Sequence, residues 1–542
     1  MTRGARLLVI GLDGATWSVL DDPAVPVPTL RRLVAGGASG PLMSTMPPMT
    51  LPAWSSILTG VNPGVHGILD FARRPPGTYG VEFLNASHRR VPTLHEILSA
   101  RGARVASLTV PGTWPPRPVN GVVVSGFDSP VARRAERGHC WPPGLHDVLR
   151  VRFGGVRFAD FQEARLGGDW HARARDSLLR EVGRREAIAR FLLDQERWDL
   201  FMVVFGESDT VAHHFWAQHD AGSPRHAPAH AGVLSEVYGR LDAAVARLAA
   251  DAELVCIVSD HGFGGAGTRA LYLNNYLAEQ GWLRFSGSGR VGDAVKRAAL
   301  RLPVERLVRR VPAALLGRFE TGNRYGDLDF AHTRAWSDEL SYAPTIHLNV
   351  KGRDPLGTIE DVEAATVDLT RLLEDWRVDG RRMVRRVWRR AEVCRGAAAA
   401  GAPDLVLELA EEGGYSATLL PSARVGRDVT ARRLTPAEYA GGKGLGTNGT
   451  HRRAGVLVLN GPAFRAGVRV EARVEDVLPT LLAAIGERVP ASIEGRVLAA
   501  ALVDGRPGEG APPAGPPTGR PRPWRPSEVA GLRRRLESLG YL

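Results

Sequence analysis

Cysteine is nearly absent. Cys140, Cys256 and Cys394 are the only three in 542 residues. Their spacing forms no CxxC metal or redox motif and no disulfide framework, which excludes a disulfide-stapled scaffold. Long apolar runs are missing as well, and none approaches the length of a membrane span. The apolar stretch after Met1–Arg6 is too short for a signal-peptide core and is broken by Asp13. A reducing, cytoplasmic setting is the expectation. No internal repeat is found. Acidic residues are outnumbered, 58 against 70 Lys and Arg, giving a net charge of +12. Such a surplus suits nucleic acid, an anionic membrane or a phosphate-bearing substrate, and it equally suits a mere arginine-rich compositional bias. Hydrophobic residues make up 44% and charged ones 24%, a globular balance. The length fits about three domains, or one large α/β enzyme with insertions.

Three apolar runs lead to aspartates. Leu7–Leu12 precedes Asp13, Phe201–Phe205 precedes Asp209, and Leu254–Val258 precedes Asp260. Runs of this kind read as buried parallel strands. Ligands bind at the carboxyl ends of such strands in open α/β sheets. Helical periodicity at 174–194 and 232–250 alternates with these runs, and the strands Val105–Val110 and Val122–Val124 lie between the first and second. Further strands are expected at Thr345–Val350, Leu405–Leu409 and Val456–Leu459. The fold class is therefore α/β, with a mostly parallel central sheet and helices on both faces.

Other stretches stand apart. Residues 284–320 hold nine Arg or Lys against three acids, with Leu300, Val304, Leu307, Val308 and Val311 at helical spacing. This reads as a basic amphipathic helix in an inserted lid spanning about 284–340. It is able to touch an anionic membrane, or to pack as a solvated insertion. Residues 503–525, rich in Pro, Gly and Arg, read as a linker. Residues 526–542 read as a short C-terminal helix with Leu532, Leu536 and Leu539 on one stripe. The catalytic unit is assigned to 1–502.

Asp260 is followed directly by His261, in a Gly-rich turn that lets both side chains enter one site. Asp209 and His213, at i and i+4, share a helix face and can reach one metal ion. His214 then faces away. Carboxylates and imidazoles at one sheet edge suggest a site for two divalent ions. Thr50 lies in a proline-rich loop, Ser44–Pro52, just ahead of a helix expected at Ala53–Thr59. Read alone it is an N-cap. Near an anion-attracting helix N-terminus, a metal can make its hydroxyl a nucleophile. His451, in the turn Thr447–His451, is on its own an ordinary loop histidine.

Taken together, Ile10-Gly11-Leu12-Asp13-Gly14, Thr50-Leu51-Pro52-Ala53-Trp54, Thr59 to Ile68, Asp209 with His213, Ser259-Asp260-His261-Gly262 and His451 resemble the alkaline phosphatase superfamily. Within it the chain is most similar to the branch of type I phosphodiesterases and nucleotide pyrophosphatases, including bacterial phosphohydrolases and phosphomutases. The resemblance implies two metals, usually zinc, with manganese equally suited to Asp/His ligands. It assigns Asp13, Thr50, Asp260 and His261 to one metal, and Asp209, His213 and His451 to the other. Thr50 becomes the nucleophile that carries a phosphoryl group, and His66 a structural residue. The nucleotide pyrophosphatases have an asparagine three residues after the nucleophile, where this chain has Ala53, which weakens the case for nucleotides. The implied function is hydrolysis of a small phosphoester, favouring diesters, with no specific nucleic-acid binding. The alternatives are a phosphomutase of the cofactor-independent phosphoglycerate mutase type and a non-catalytic binding protein. A sulfatase is disfavoured because Thr50 is not a cysteine. The oligomeric state is not readable.

Overall fold

The computed structural model describes residues 4–129, 137–158, 169–286, 327–339, 343–439 and 448–504, together with 522, 524, 528, 529 and 532. Most of the basic segment, from 287 to 320, and nearly all of the C-terminal helix lie outside these residues.

Alternating side chains explain the central layer. In the strand Gly4–Leu12, Leu8, Ile10 and Leu12 enter one core while Leu7 and Val9 enter another. The strand Arg197–Phe205 divides in the same way, with Phe201, Val203 and Phe205 opposite Leu200, Met202 and Val204. A strand apolar on both sides must be covered on both sides. The helices Pro28–Ala35, Trp170–Leu193 and Val233–Ala249 cover one face, and Thr50–Thr59, Leu94–Ala100 and Val477–Ala484 cover the other. Each such Leu, Ile, Val or Phe removed from water contributes about 1.5–3 kcal/mol.

The sheet has nine strands, in the order Ala472–Arg473, Ala38–Met43, Ala454–Asn460, Ala252–Val258, Gly4–Leu12, Arg197–Phe205, Val105–Val110, Gly121–Ser125 and Cys140–Trp141. The five from Ala252–Val258 to Gly121–Ser125 are parallel. Antiparallel pairing enters at Ala454–Asn460 and at Cys140–Trp141. The sheet is thus mostly parallel, as expected, with mixed edges. The first strand is central, with Leu12 in register with Phe205 and Gly11 with Val258. This register brings the segments after all three expected strands to one edge.

A long strand, Gly262–Leu271, leaves that edge and pairs with Gly449–Arg452, Tyr415–Leu419 and Ala431–Arg433. A further four-stranded antiparallel sheet, Ala335–Ser337, Thr345–Leu348, Leu405–Leu409 and Val384–Arg389, packs with the helix Val362–Glu374 around its own apolar core. Near the chain end, Trp524 is buried and stacks on Trp114 at 4.1 Å, while Asn85 and Ser87 bond the Arg522 backbone. Arg522 and Trp524 are therefore docked, although they fall in the stretch read as linker. The three cysteines are buried and free, in keeping with their sparse spacing.

Candidate active site

Local chemistry fixes each arm of the site. Asp13 follows the first strand directly, and its N–H extends the sheet ladder to the Phe205 carbonyl at 3.0 Å. Gly14 turns the chain with φ +65, where a Cβ would stand 3.0 Å from the Phe263 ring and 3.2 Å from Asp209. Only glycine meets both the positive φ and the close approach. Asp209 is not at a strand end. It sits in the first turn of the helix Glu207–His219. That turn is anchored by the buried Arg185–Glu207 ion pair and by Ser208, whose hydroxyl donates to the Asp13 carbonyl at 2.7 Å. A carboxylate there is also favoured by the helix dipole.

Thr50 is the first residue of the helix Thr50–Thr59, with Met49 in the capping position. The helix starts three residues earlier than its sequence suggests, and Thr50 is not its N-cap. Its hydroxyl is fully buried and lies 3.4 Å from His261 Nε2. His451 also departs from expectation. It belongs to the strand Gly449–Arg452, where it pairs with Phe263 in antiparallel register. Strand pairing, and not a turn, delivers its ring to the site. His66 is placed as a brace. It accepts the Ile68 N–H at Nδ1 and donates from Nε2 to Ser56 Oγ at 3.0 Å. Burial, then nearby Arg89, lowers its pKa to about 3, so it stays neutral.

All seven expected residues are brought together. His261 Nε2 is 3.5 Å from Asp13 Oδ1 and 3.5 Å from Asp260 Oδ2. Asp209 Oδ1 is 3.2 Å from His213 Nε2 and 3.3 Å from His451 Nε2, and those two nitrogens are 3.0 Å apart. Asp209 Oδ1 lies 4.0 Å from His261 Nε2, which joins the two halves. His214, the neighbour expected to face away, is buried with its ring edge-on to Trp170.

The three imidazoles share one arrangement. Nδ1 of His213 lies 3.1 Å from the Gly449 carbonyl, Nδ1 of His261 lies 3.1 Å from that of Gly262, and Nδ1 of His451 lies 2.8 Å from that of Pro48. A carbonyl only accepts, so each Nδ1 carries the hydrogen and each Nε2 turns a lone pair inward. Facing them, Asp13 Oδ1, Asp209 Oδ1 and Asp260 Oδ2 are buried and accept no well-directed hydrogen bond. One proton cannot reconcile three lone pairs with three such oxygens, so this donor set fits cations. The protonation balance carries the same mark. Burial, then Asp260 and Asp209, holds Asp13 well above the ordinary carboxylate range, and burial, then Asp209, does the same to Asp260. For Asp209, burial acts upward, but positive charge beside it, as His213 and His451 carry when protonated, outweighs it and holds the group low. Burial, then His451, keeps His261 neutral.

The sequence profile of the type I phosphodiesterase / nucleotide pyrophosphatase family matches residues 7–419. The chain belongs to this family. It is accordingly an enzyme of the alkaline phosphatase superfamily, of the phosphodiesterase and phosphohydrolase kind. Six of the seven site residues fall inside the matched span, and His451 lies beyond it. Phosphonoacetate hydrolase from Sinorhizobium meliloti 1021 is similar in structure, with 18% identity and a TM-score of 0.52 over 90% of this chain and 96% of that one. Murine ectonucleotide pyrophosphatase / phosphodiesterase 5 has 14% identity and a TM-score of 0.47 over 89% and 95%. At such identities the likeness is one of fold. No curated protein matches the chain significantly.

One site residue escaped the sequence reading. Trp54 is fully buried, and its Nε1 donates to Asp13 Oδ2 at 3.1 Å. The indole thus orients the Asp13 carboxylate and leaves Oδ1 to face the centre. A tryptophan four residues into a helix reads as core, and nothing in its spacing marks it as a partner of Asp13. No helix among the described residues is long and apolar enough to cross a membrane.

Proposed function

We propose that this enzyme hydrolyses small phosphodiesters through a phosphothreonine at Thr50, in a site for two divalent cations, zinc first and manganese as the alternative. Asp13, Asp260 and His261, with Thr50, would hold one cation. Asp209, His213 and His451 would hold the other. The observation that carries this reading is the convergence of three inward Nε2 lone pairs and three unsatisfied carboxylate oxygens beside the Thr50 hydroxyl. Bound there, such cations supply the positive charge that lowers a hydroxyl pKa and offsets the charge of a phosphoryl group.

The chain's own groups set the rest. Thr50 Oγ forms a bond to phosphorus as the bond to the leaving alkoxide breaks, and the alkoxide takes up a proton. Water then attacks the phosphothreonine, which releases a phosphomonoester and restores the hydroxyl. The N-terminus of Thr50–Thr59 favours the anion throughout. Ala53 has no amide to hold a phosphate oxygen, so we favour a diester without that contact over a nucleotide.

Thr50→Ala should abolish turnover of model diesters, on the order of 10⁴-fold or more, the scale seen when other covalent nucleophiles are removed. The far-UV spectrum should change little. Turnover at the parent rate would refute the covalent route. Product analysis separates hydrolysis from the mutase alternative. Free monoester supports hydrolysis, whereas isomerised substrate with no released product supports a mutase.

A further inference from the structure

A second group of ligand-type side chains lies away from the seven residues above. Asp169 caps the helix Trp170–Leu193, and its Oδ1 accepts the N–H groups of His171 at 3.1 Å and Ala172 at 3.3 Å. His230 precedes the helix Val233–Ala249. Its ring stacks on that of His171, with centroids 4.9 Å apart and planes at 18°. Its Nε2 is 3.6 Å from Asp169 Oδ1. One ligand atom from each of Asp169, His171 and His230 lies within 4.8 Å of the other two.

Two further observations set this trio apart from a chance surface cluster. The Nε2 atom of His171 is buried and has no hydrogen-bond partner. Such atoms are uncommon and ask for an explanation. His230 adopts φ +70, in the left-handed region that glycine enters freely and a side-chain-bearing residue enters at a cost. The site also has a place in the fold. The rings of Trp170 and His171 pack against Phe215, at 6.3 and 5.7 Å, on the helix that carries Asp209 and His213.

We propose that Asp169, His171 and His230 form a separate structural site for one transition-metal dication of the zinc type. Two imidazoles and one carboxylate suit zinc, with a fourth position left to water, and they suit magnesium or calcium poorly. The two N–H bonds to Asp169 orient its carboxylate, as outer-shell contacts do for metal ligands. A cation here joins the start of one helix to the loop before another, against the outer side of the helix that bears Asp209 and His213.

The test is zinc content. Metal-stripped full-length protein is reloaded with excess Zn²⁺, freed of unbound metal by gel filtration and assayed for zinc per chain. His230→Gly removes a ligand while suiting the backbone, so the variant should fold. It should hold one zinc equivalent fewer than the parent, and the zinc-induced rise in its Tm should be smaller. His171→Gln, which keeps a polar side chain of similar reach, should lose the same equivalent. The result is a difference between parent and variant, so it stands whatever number the Asp13–His451 cluster holds. Parent stoichiometry in both variants would overturn the proposal.

Discussion

Trp54→Phe removes one hydrogen bond from the active site and leaves every expected ligand in place. The lost bond runs from Trp54 Nε1 to Asp13 Oδ2 at 3.1 Å, and the indole is wholly buried, so water has no ready route to replace it. A hydrogen bond to a charged group is worth about 1.5–3 kcal/mol. At about 1.4 kcal/mol per tenfold, the dissociation constant of the cation held with Asp13 should rise roughly 10- to 100-fold, the scale found for outer-shell partners of metal ligands. The smaller ring also leaves unfilled core and should cost about 1–3 kcal/mol of stability. Competition with a chelator of known affinity measures the first effect, and urea unfolding of the metal-loaded protein measures the second. At saturating metal, kcat should recover most of its parent value, because Thr50 is untouched. A folded variant with parent metal affinity would refute the role assigned to this bond.

Three further outcomes are expected. Gly11→Ala should destabilise strongly and weaken metal retention, because its Cβ would fall 2.3 Å from the Trp54 ring and 2.7 Å from Val204; thermal melting with and without metal checks this. Asp128 is buried, accepts the Gly112 N–H at 3.2 Å, and is pushed up to about 7, chiefly by burial. Its folded pKa lies above its ordinary value of 3.8, so its contribution is present at low pH and lost as pH rises towards about 7, by about 1.4 kcal/mol per unit. Urea midpoints should therefore show the parent losing stability relative to Asp128→Asn from pH 4 to 7, with no further change above that. Chelation should abolish activity and lower Tm, and zinc or manganese should restore both, with about 2.7 kcal/mol regained per site at a hundredfold excess over Kd; activity after exhaustive chelation would count against metal dependence.

The central sheet was legible because it obeys local rules. Buried parallel strands are apolar on both faces, and Leu7–Leu12, Phe201–Phe205 and Leu254–Val258 show this without interruption. Asp260-His261 and the i, i+4 pair Asp209–His213 were legible for the same reason. What lay hidden depends on pairing between distant segments. The strand Gly262–Leu271 contains Gly262, Gly264, Gly265 and Gly267, a pattern that reads as a turn. Those glycines are needed for close neighbours, since a Cβ on Gly262 would stand 2.0 Å from the Ala454 carbonyl oxygen. Because that strand was hidden, so was its partner, and His451 looked like a loop residue. The strand Ala38–Met43, next to the edge strand Ala472–Arg473, was masked by Gly40 and Pro41, and the helix start at Thr50 by Pro52. Trp54 looked like ordinary core, and Asp169, His171 and His230 are joined only by the packing of two helices.

Anomalous X-ray diffraction at the zinc edge, from crystals of zinc-loaded protein, tests the two-cation site most directly. Two peaks are predicted in the catalytic cluster, one within about 2.0–2.2 Å of ligand atoms of Asp13, Asp260 and His261 and one at the same range from Asp209, His213 and His451. Zinc bound elsewhere in the protein, with no peak among these six side chains, would contradict it.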